Sequence, residues 1–232
     1  MHLTTLLTGL TAIASLSVPI TASPSHHDRN PHLFVPSCPR KTTATYTKSV
    51  PDKTPFPKTA VDLCYDKTSL HLTFKAYDEK YFYFDPEQGT NGDIWEYEVM
   101  EAFLYHGDND PSTYFEFEIN PNNVTYQAFV YNPSKVRADD APFDHAFISN
   151  PAADGFSAST VLDKEEGTWF SDVVIPLALF NVDRPRGSRW RMNFLRTVTS
   201  PEMFPDQELG AWSPPDEANF HITSKFGDVF FV

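Results

Sequence analysis

The sequence has few of the groups on which most binding and catalytic chemistry is built. Sulfur is scarce, with 2 Cys and 4 Met among 232 residues. Neither cysteine has an adjacent His, which argues against a catalytic thiol or a sulfur-bound metal. Cations are scarce too: 18 Lys and Arg face 31 Asp and Glu, giving a formal charge of −13. No Lys/Arg stripe exists, so nucleic acid and anionic membranes are poor partners. Acidity of this kind keeps a protein soluble and says little about its ligand. Beyond the N-terminus no apolar run approaches the roughly 20 residues of a membrane-spanning helix. A sustained 3.6-residue apolar period is also missing, which leaves little room for helix.

Aromatic residues and proline are abundant. The chain is 15% aromatic and carries 20 Phe and 20 Pro, a balance that suits a β-rich domain with many turns. Residues 1–22 hold an apolar run that ends in small residues, and they read as a secretory signal peptide whose n-region offers only His2. Residues 23–40 open S-P-S-H-H-D-R-N-P and read as a flexible lead-in, where the exposed His26 and His27 hold no metal specifically. Residues 41–232 are enough for one domain. Cys38 and Cys64 are expected to form a disulfide in an oxidising compartment. Closing a loop of about 26 residues stabilises the fold by about 3 kcal/mol in the chain-entropy account. The triplet Asn123-Val124-Thr125 is a glycosylation sequon.

Nine strands are predicted, at 60–65, 69–77, 99–106, 113–120, 124–131, 156–162, 168–175, 189–196 and 228–232. Nine short strands with turn residues between them make an all-β fold, a two-sheet antiparallel β-sandwich. Alternation marks the buried faces. Phe115, Phe117 and Ile119 oppose Tyr114, Glu116, Glu118 and Asn120, while Trp190, Met192 and Phe194 oppose Arg191, Asn193 and Leu195. Trp169 and Trp190 belong to the core on this reading.

The informative stretch is G-D-I-W-E-Y-E-V-M-E-A-F-L-Y-H from Gly92. Glu101 shares a strand face with Val99 and Phe103, and a carboxylate there is costly to desolvate unless it is paired or open to a ligand. Trp95 lies just before the strand in a turn-rich approach. A rim Trp beside a carboxylate suits a sugar, whose ring stacks on the indole while its hydroxyls donate to the carboxylate. Glu118, Asn193 and Arg196 are expected to line the same groove, and residues 133–150 to cover one end of the sandwich.

These residues also carry a family resemblance. W-E-Y-E-V-M-E-A-F-L from Trp95, Y-F-E-F-E-I-N-P from Tyr114, V-I-P from Val174, W-R-M-N-F-L-R from Trp190, W-S-P from Trp212 and F-G-D-V-F-F from Phe226 follow one another in order. The set resembles the family 9 carbohydrate-binding modules and their fungal relatives, over residues 55–232. The resemblance implies a DOMON-like sandwich that holds a carbohydrate ligand between two aromatic side chains, in a secreted protein associated with carbohydrate catabolism. It matches Trp95 to the first clamp aromatic and Glu101 to the sugar-binding carboxylate. Trp212 and Phe220 compete for the second aromatic. The chain departs from the pattern at Glu118, where a basic residue would contact the sugar.

No cofactor is expected, although the resemblance admits a structural calcium, for which Asp108, Asn109 and Asp110 supply oxygen ligands. Two alternatives to a non-catalytic binding protein stay open. A glycoside hydrolase needs two carboxylates about 5–10 Å apart. A haem-binding DOMON cytochrome needs axial Met and His, with Met100, Met192, Met203, His106, His145 and His221 as candidates.

Overall fold

Alternating apolar and polar residues build thirteen strands and three short 3-10 helices in the computed structural model of this protein, which describes residues 30–232. The expected signal peptide lies outside the described residues, as do residues 23–29 of the lead-in with His26 and His27. The front layer runs β8 (Asp144–Phe147), β7 (Thr125–Tyr131), β6 (Thr113–Ile119), β5 (Val99–His106) and β11 (Arg189–Val198). The back layer runs β2 (Thr42–Val50), β3 (Pro55–Tyr65), β4 (Ser69–Ala76), β10 (Thr168–Pro176) and β9 (Ser157–Asp163). At the free edge of β11, β12 (Glu208–Ala211) pairs with its second half and β13 (Gly227–Phe231) with its first. β12 pairs in turn with β2, so the two layers curl into one another.

All nine predicted strands are present, eight of them within two residues at both ends and the ninth, β3, beginning five residues earlier than expected, and the architecture is the expected all-β sandwich. Four further strands escaped the sequence reading. β1 (His32–Val35), β8 and β12 are only four residues long, and β2 reads as a Thr-rich polar run. The sandwich is antiparallel except at one edge, where β1 runs parallel to β13. The lead-in expected through Arg40 is therefore ordered from β1 onward. Its anchors are the Asn30 amide, which donates to the Ser224 and Phe226 carbonyls at 2.7 and 3.0 Å, and the stacking of Phe34 on Phe230 at 5.5 Å.

The core fills the gap between layers. Met100, Ala102 and Leu104 of β5, Phe115 and Phe117 of β6, and Trp190, Met192 and Phe194 of β11 face Val61, Leu63, Leu72, Phe74 and Trp169 of the back layer. Trp190 packs between Phe231 at 5.2 Å, Phe180 at 5.0 Å and His106 at 5.0 Å, and its indole N–H donates to the Ser188 hydroxyl. Cys38 and Cys64 form the expected disulfide, which ties the segment after β1 to the end of β3.

Trp190 is 1% exposed, so its truncation leaves a cavity that no neighbour can fill. Trp190→Ala is expected to cost about 3–5 kcal/mol of a total of about 5–15, read as a lower midpoint in urea unfolding.

Candidate functional site

The outer face of the front layer is as important as the inner one. On it, register places Leu195, Glu101, Glu118 and Tyr126 side by side across β11, β5, β6 and β7. Phe103, Glu116, Ala128 and Phe147 form the adjacent row across β5, β6, β7 and β8. Most of this face is covered, although Phe147 at its edge stays exposed. Residues 93–95, residues 137–143 and residues 207–221 roof it and leave a cavity of about 650 Å³.

Trp95 stands on the 3-10 helix Ile94–Glu96, whose Ile94 is buried beneath it. The indole is 45% exposed at the cavity mouth, and the Gln207 amide donates to the Trp95 carbonyl at 2.8 Å. Phe147, 47% exposed, is a second rim aromatic. Phe220 also lines the cavity, whereas Trp212 does not. Trp212 packs inward on Phe194 at 5.7 Å, and it sits so close to Gly227 that any side chain there would collide with its ring. Of the two candidates for the second aromatic, the structure places Phe220 at the cavity.

Glu101, Glu116 and Glu118 form the floor. One oxygen from each lies within 4.8 Å of the others, and the residues are 4%, 4% and 1% exposed. Oε2 of Glu116 and of Glu118 has no hydrogen-bond partner. Burial, and then mutual repulsion, pushes the Glu101 and Glu118 carboxyls well above the usual carboxylate range. The Thr197 hydroxyl opposes the shift at Glu101. Burial raises Glu116 to about 8, opposed by Glu118 and by the Arg137 guanidinium.

Two imidazoles complete the wall. His145 Nε2 lies 3.7 Å from Glu116 Oε2, but burial and Arg137 lower its pKa, so the contact is not an ion pair at neutral pH. His221 shares a 2.6 Å hydrogen bond with the Tyr114 hydroxyl and stacks on Phe103. Burial, Arg137 and His145 hold it near a pKa of about 3. Arg137 itself lies over the Phe143 ring at 4.7 Å and is the cation that lines the cavity.

Arg196 does not reach the groove. It shares the inward parity of Trp190, Met192 and Phe194, and its Nη2 donates to Glu79 Oε2 at 2.6 Å with both side chains fully buried. The other Glu79 oxygen accepts the backbone N–H groups of Lys80, Tyr81 and Phe82. This ion pair thus clasps the chain that leads toward Trp95. Asn193 is also absent from the cavity wall. Its amide donates to the Ser213 carbonyl at 2.9 Å and accepts from the Ser213 N–H at 3.0 Å. Neither Arg191 nor Arg196 pairs with Glu101.

The suggested calcium ligands are engaged elsewhere. Asp108 pairs with Arg189, Asn109 accepts from the Tyr105 hydroxyl, and Asp110 accepts from Thr223 and pairs with Lys135. Met100 and Met192 lie in the core on the far side of the sheet from His145 and His221, and no Met lines the cavity. That geometry disfavours axial Met and His ligation of a haem here. Asn123 is exposed in the turn between β6 and β7, where an attached glycan would meet solvent.

Sequence reasoning missed Glu116, Tyr126, Arg137, Phe143 and Phe147 as cavity residues, and it singled out His145 and His221 only as haem-ligand candidates. The alternation of β6 had put Glu116 beside Glu118, but the burial of that face depends on loops whose course no local pattern encodes.

Comparison with known proteins defines the class first. A Bacteroides uniformis structure described as a carbohydrate-binding protein superposes with a TM-score of 0.65 at 17% identity, covering 88% of this chain and 100% of that one. Family 9 carbohydrate-binding modules from Caldicellulosiruptor kristjanssonii, solved with cellotriose and with glucose, superpose at 0.59 and 0.58 with 13% identity. They cover 86% and 87% of this chain, and 93% and 95% of their own. This protein therefore has the sandwich fold of family 9 carbohydrate-binding modules. No family model matches the sequence. An extracellular protein of Arthroderma benhamiae is 63% identical over 206 residues, 89% of this chain and 92% of that one, and the chain belongs to its family. With its disulfide, the protein is extracellular.

Two predictions follow from the buried charges. Arg196→Ala is expected to cost about 3–5 kcal/mol because it leaves Glu79 buried without a cation, and Arg196→Met with Glu79→Gln to recover part of that loss in thermal melts.

Glu98, Glu101, Glu116 and Glu118 all bind protons more tightly folded than unfolded. Their contribution to stability is complete below the unfolded carboxyl pKa of about 4.3 and is lost as pH rises through the folded values. Those values are about 8 for Glu116 and about 9 for Glu98, which burial and then Glu79 raise. The Glu79 carboxyl, held down chiefly by Arg196 against its burial, acts in the opposite sense and only at lower pH. Melting temperature is expected to fall between about pH 5 and pH 9, and Glu118→Gln to flatten that slope.

Proposed function

We propose that this extracellular protein is a non-catalytic carbohydrate-binding protein that takes a saccharide into the cavity on its front sheet. A half-exposed Trp95 at the mouth of a cavity floored by three carboxylates is the observation that carries this reading. A sugar ring presents a C–H face that stacks on an indole, and hydroxyls that donate to carboxylates. Trp95 supplies the platform, with Phe147 and Phe220 as apolar walls. Glu101 and Glu118, direct cross-strand partners, supply the acceptors. Arg137, rather than Arg196, supplies the basic side chain. The family 9 neighbours solved with cellotriose and glucose support the reading.

The same geometry weighs against hydrolysis. A glycosidase sets its two carboxyls on either side of the scissile bond. Here they stand side by side on one sheet face and project the same way.

Isothermal titration against cello- and xylo-oligosaccharides tests the proposal. Trp95→Ala is expected to weaken binding by about 2 kcal/mol or more, and to change stability by only about 0.5 kcal/mol, as for an exposed position. Absence of any saccharide binding by the unaltered protein at millimolar ligand overturns it. So does a Trp95→Ala melt as low as that of Trp190→Ala, which would make Trp95 a core residue.

A further inference from the structure

The carboxylate floor is poorly matched to a neutral sugar. Hydroxyls bind best where donors and acceptors are both on offer, yet Glu101, Glu116 and Glu118 when ionised only accept. Oε2 of Glu116 and Oε2 of Glu118 are buried at the cavity, and neither accepts a hydrogen bond from a side chain or backbone N–H of the described residues. Asp93 and Asp139 add negative charge from the roof. The imidazoles of His145 and His221 are held neutral by burial and by Arg137. Arg137 is exposed at the rim on the Phe143 ring and makes no ion pair with the floor among the described residues. What the floor lacks is a cation with hydrogen-bond donors.

We propose that the ligand is an amino sugar, whose ring stacks on Trp95 while its protonated amine sits among Glu101, Glu116 and Glu118. The inference rests on the saccharide reading above and narrows it. An ammonium has three N–H donors, one for each carboxylate. Acceptors held about 2.8 Å from a tetrahedral nitrogen stand about 4.6 Å apart. The three carboxylate oxygens lie within 4.8 Å of one another, which accommodates that spacing. A bare metal ion would use the floor and leave the exposed Trp95 and Phe147 without a role. A neutral sugar would use the aromatics and could donate hydroxyls to the floor, but it would leave the negative charge of the three carboxylates uncompensated. A saccharide with a protonated amine uses both.

The charge balance gives the site a pH signature. Ammonium binding favours the ionised carboxylates and so releases the protons that burial makes them hold. Affinity therefore rises as pH increases through the range in which the cluster ionises, then falls once the ligand amine deprotonates, near pH 8 for an ordinary α-amine.

The test is isothermal titration of the full chain, dialysed against chelator, with short oligomers of glucosamine, of N-acetylglucosamine and of glucose. Glucosamine oligomers are expected to bind about tenfold or more tighter than either neutral set, the gain from hydrogen bonds to a charged group. Proton release is expected for glucosamine alone, and Glu118→Gln should shrink the preference. Equal affinities, or a preference for the neutral oligomers, overturn the amino-sugar assignment and leave the carbohydrate reading standing. No saccharide binding overturns both. Calcium or manganese binding that Glu118→Gln abolishes, without any amino-sugar preference, also overturns the assignment. The ligand comparison on the unaltered protein decides the matter even where the variant fails to fold.

Discussion

The alternation of side chains along β5, β6 and β11 holds the whole structure to one register. Even-numbered residues of β5 and β11 and odd-numbered residues of β6 enter the core between the layers. Their neighbours enter the cavity or the packing on the outer face. A slip of one residue would put Glu101 into the aromatic core and Met100 among the carboxylates, so both faces resist it. This is an antiparallel sheet buried on both sides. It differs from the usual arrangement, in which one face packs and the other meets water.

Burial on both faces makes the buried charges consequential. On the inner side the protein resolves the problem directly, since Arg196 and Glu79 neutralise each other and Glu79 also accepts three backbone N–H groups. On the outer side it leaves the problem open. Three carboxylates share a confined space with neutral imidazoles, and two of their oxygens have no hydrogen-bond partner. Stability would be served better by apolar side chains of similar size, because unpaired buried charge is a net cost. Buried groups that cost stability and converge on a cavity are consistent with the binding role proposed above.

Much of this was legible in the sequence. Period-two alternation located nine of the thirteen strands and assigned the buried faces of β6 and β11. Trp95 stood out because turn residues surround it, and Glu101 because a carboxylate on an apolar strand face needs a partner. Trp212 misled, since its Pro- and Gly-rich surroundings look like a rim although the ring is tucked against Phe194 and Gly227. Arg196 misled in another way. Its parity with Phe194 already pointed inward, but a buried Arg is credible only once Glu79, far away in sequence, is seen to meet it.

By itself the sequence determined the class of fold and the disulfide between the two cysteines, and it pointed to Trp95 and Glu101, the two residues on which the proposed site is centred. These follow from local rules: backbone period, turn chemistry and the cost of burying charge. The tertiary structure decided which other residues join Trp95 and Glu101. Arg137, His145 and Phe147 come from one segment and Phe220 from another, each tens of residues from Trp95 and Glu101, and only the pairing of β8 and the course of the loops bring them to the cavity. It also decided that Glu116 and Glu118 are buried rather than solvated, because burial is a property of what covers a strand. No pattern along the strand itself records that cover.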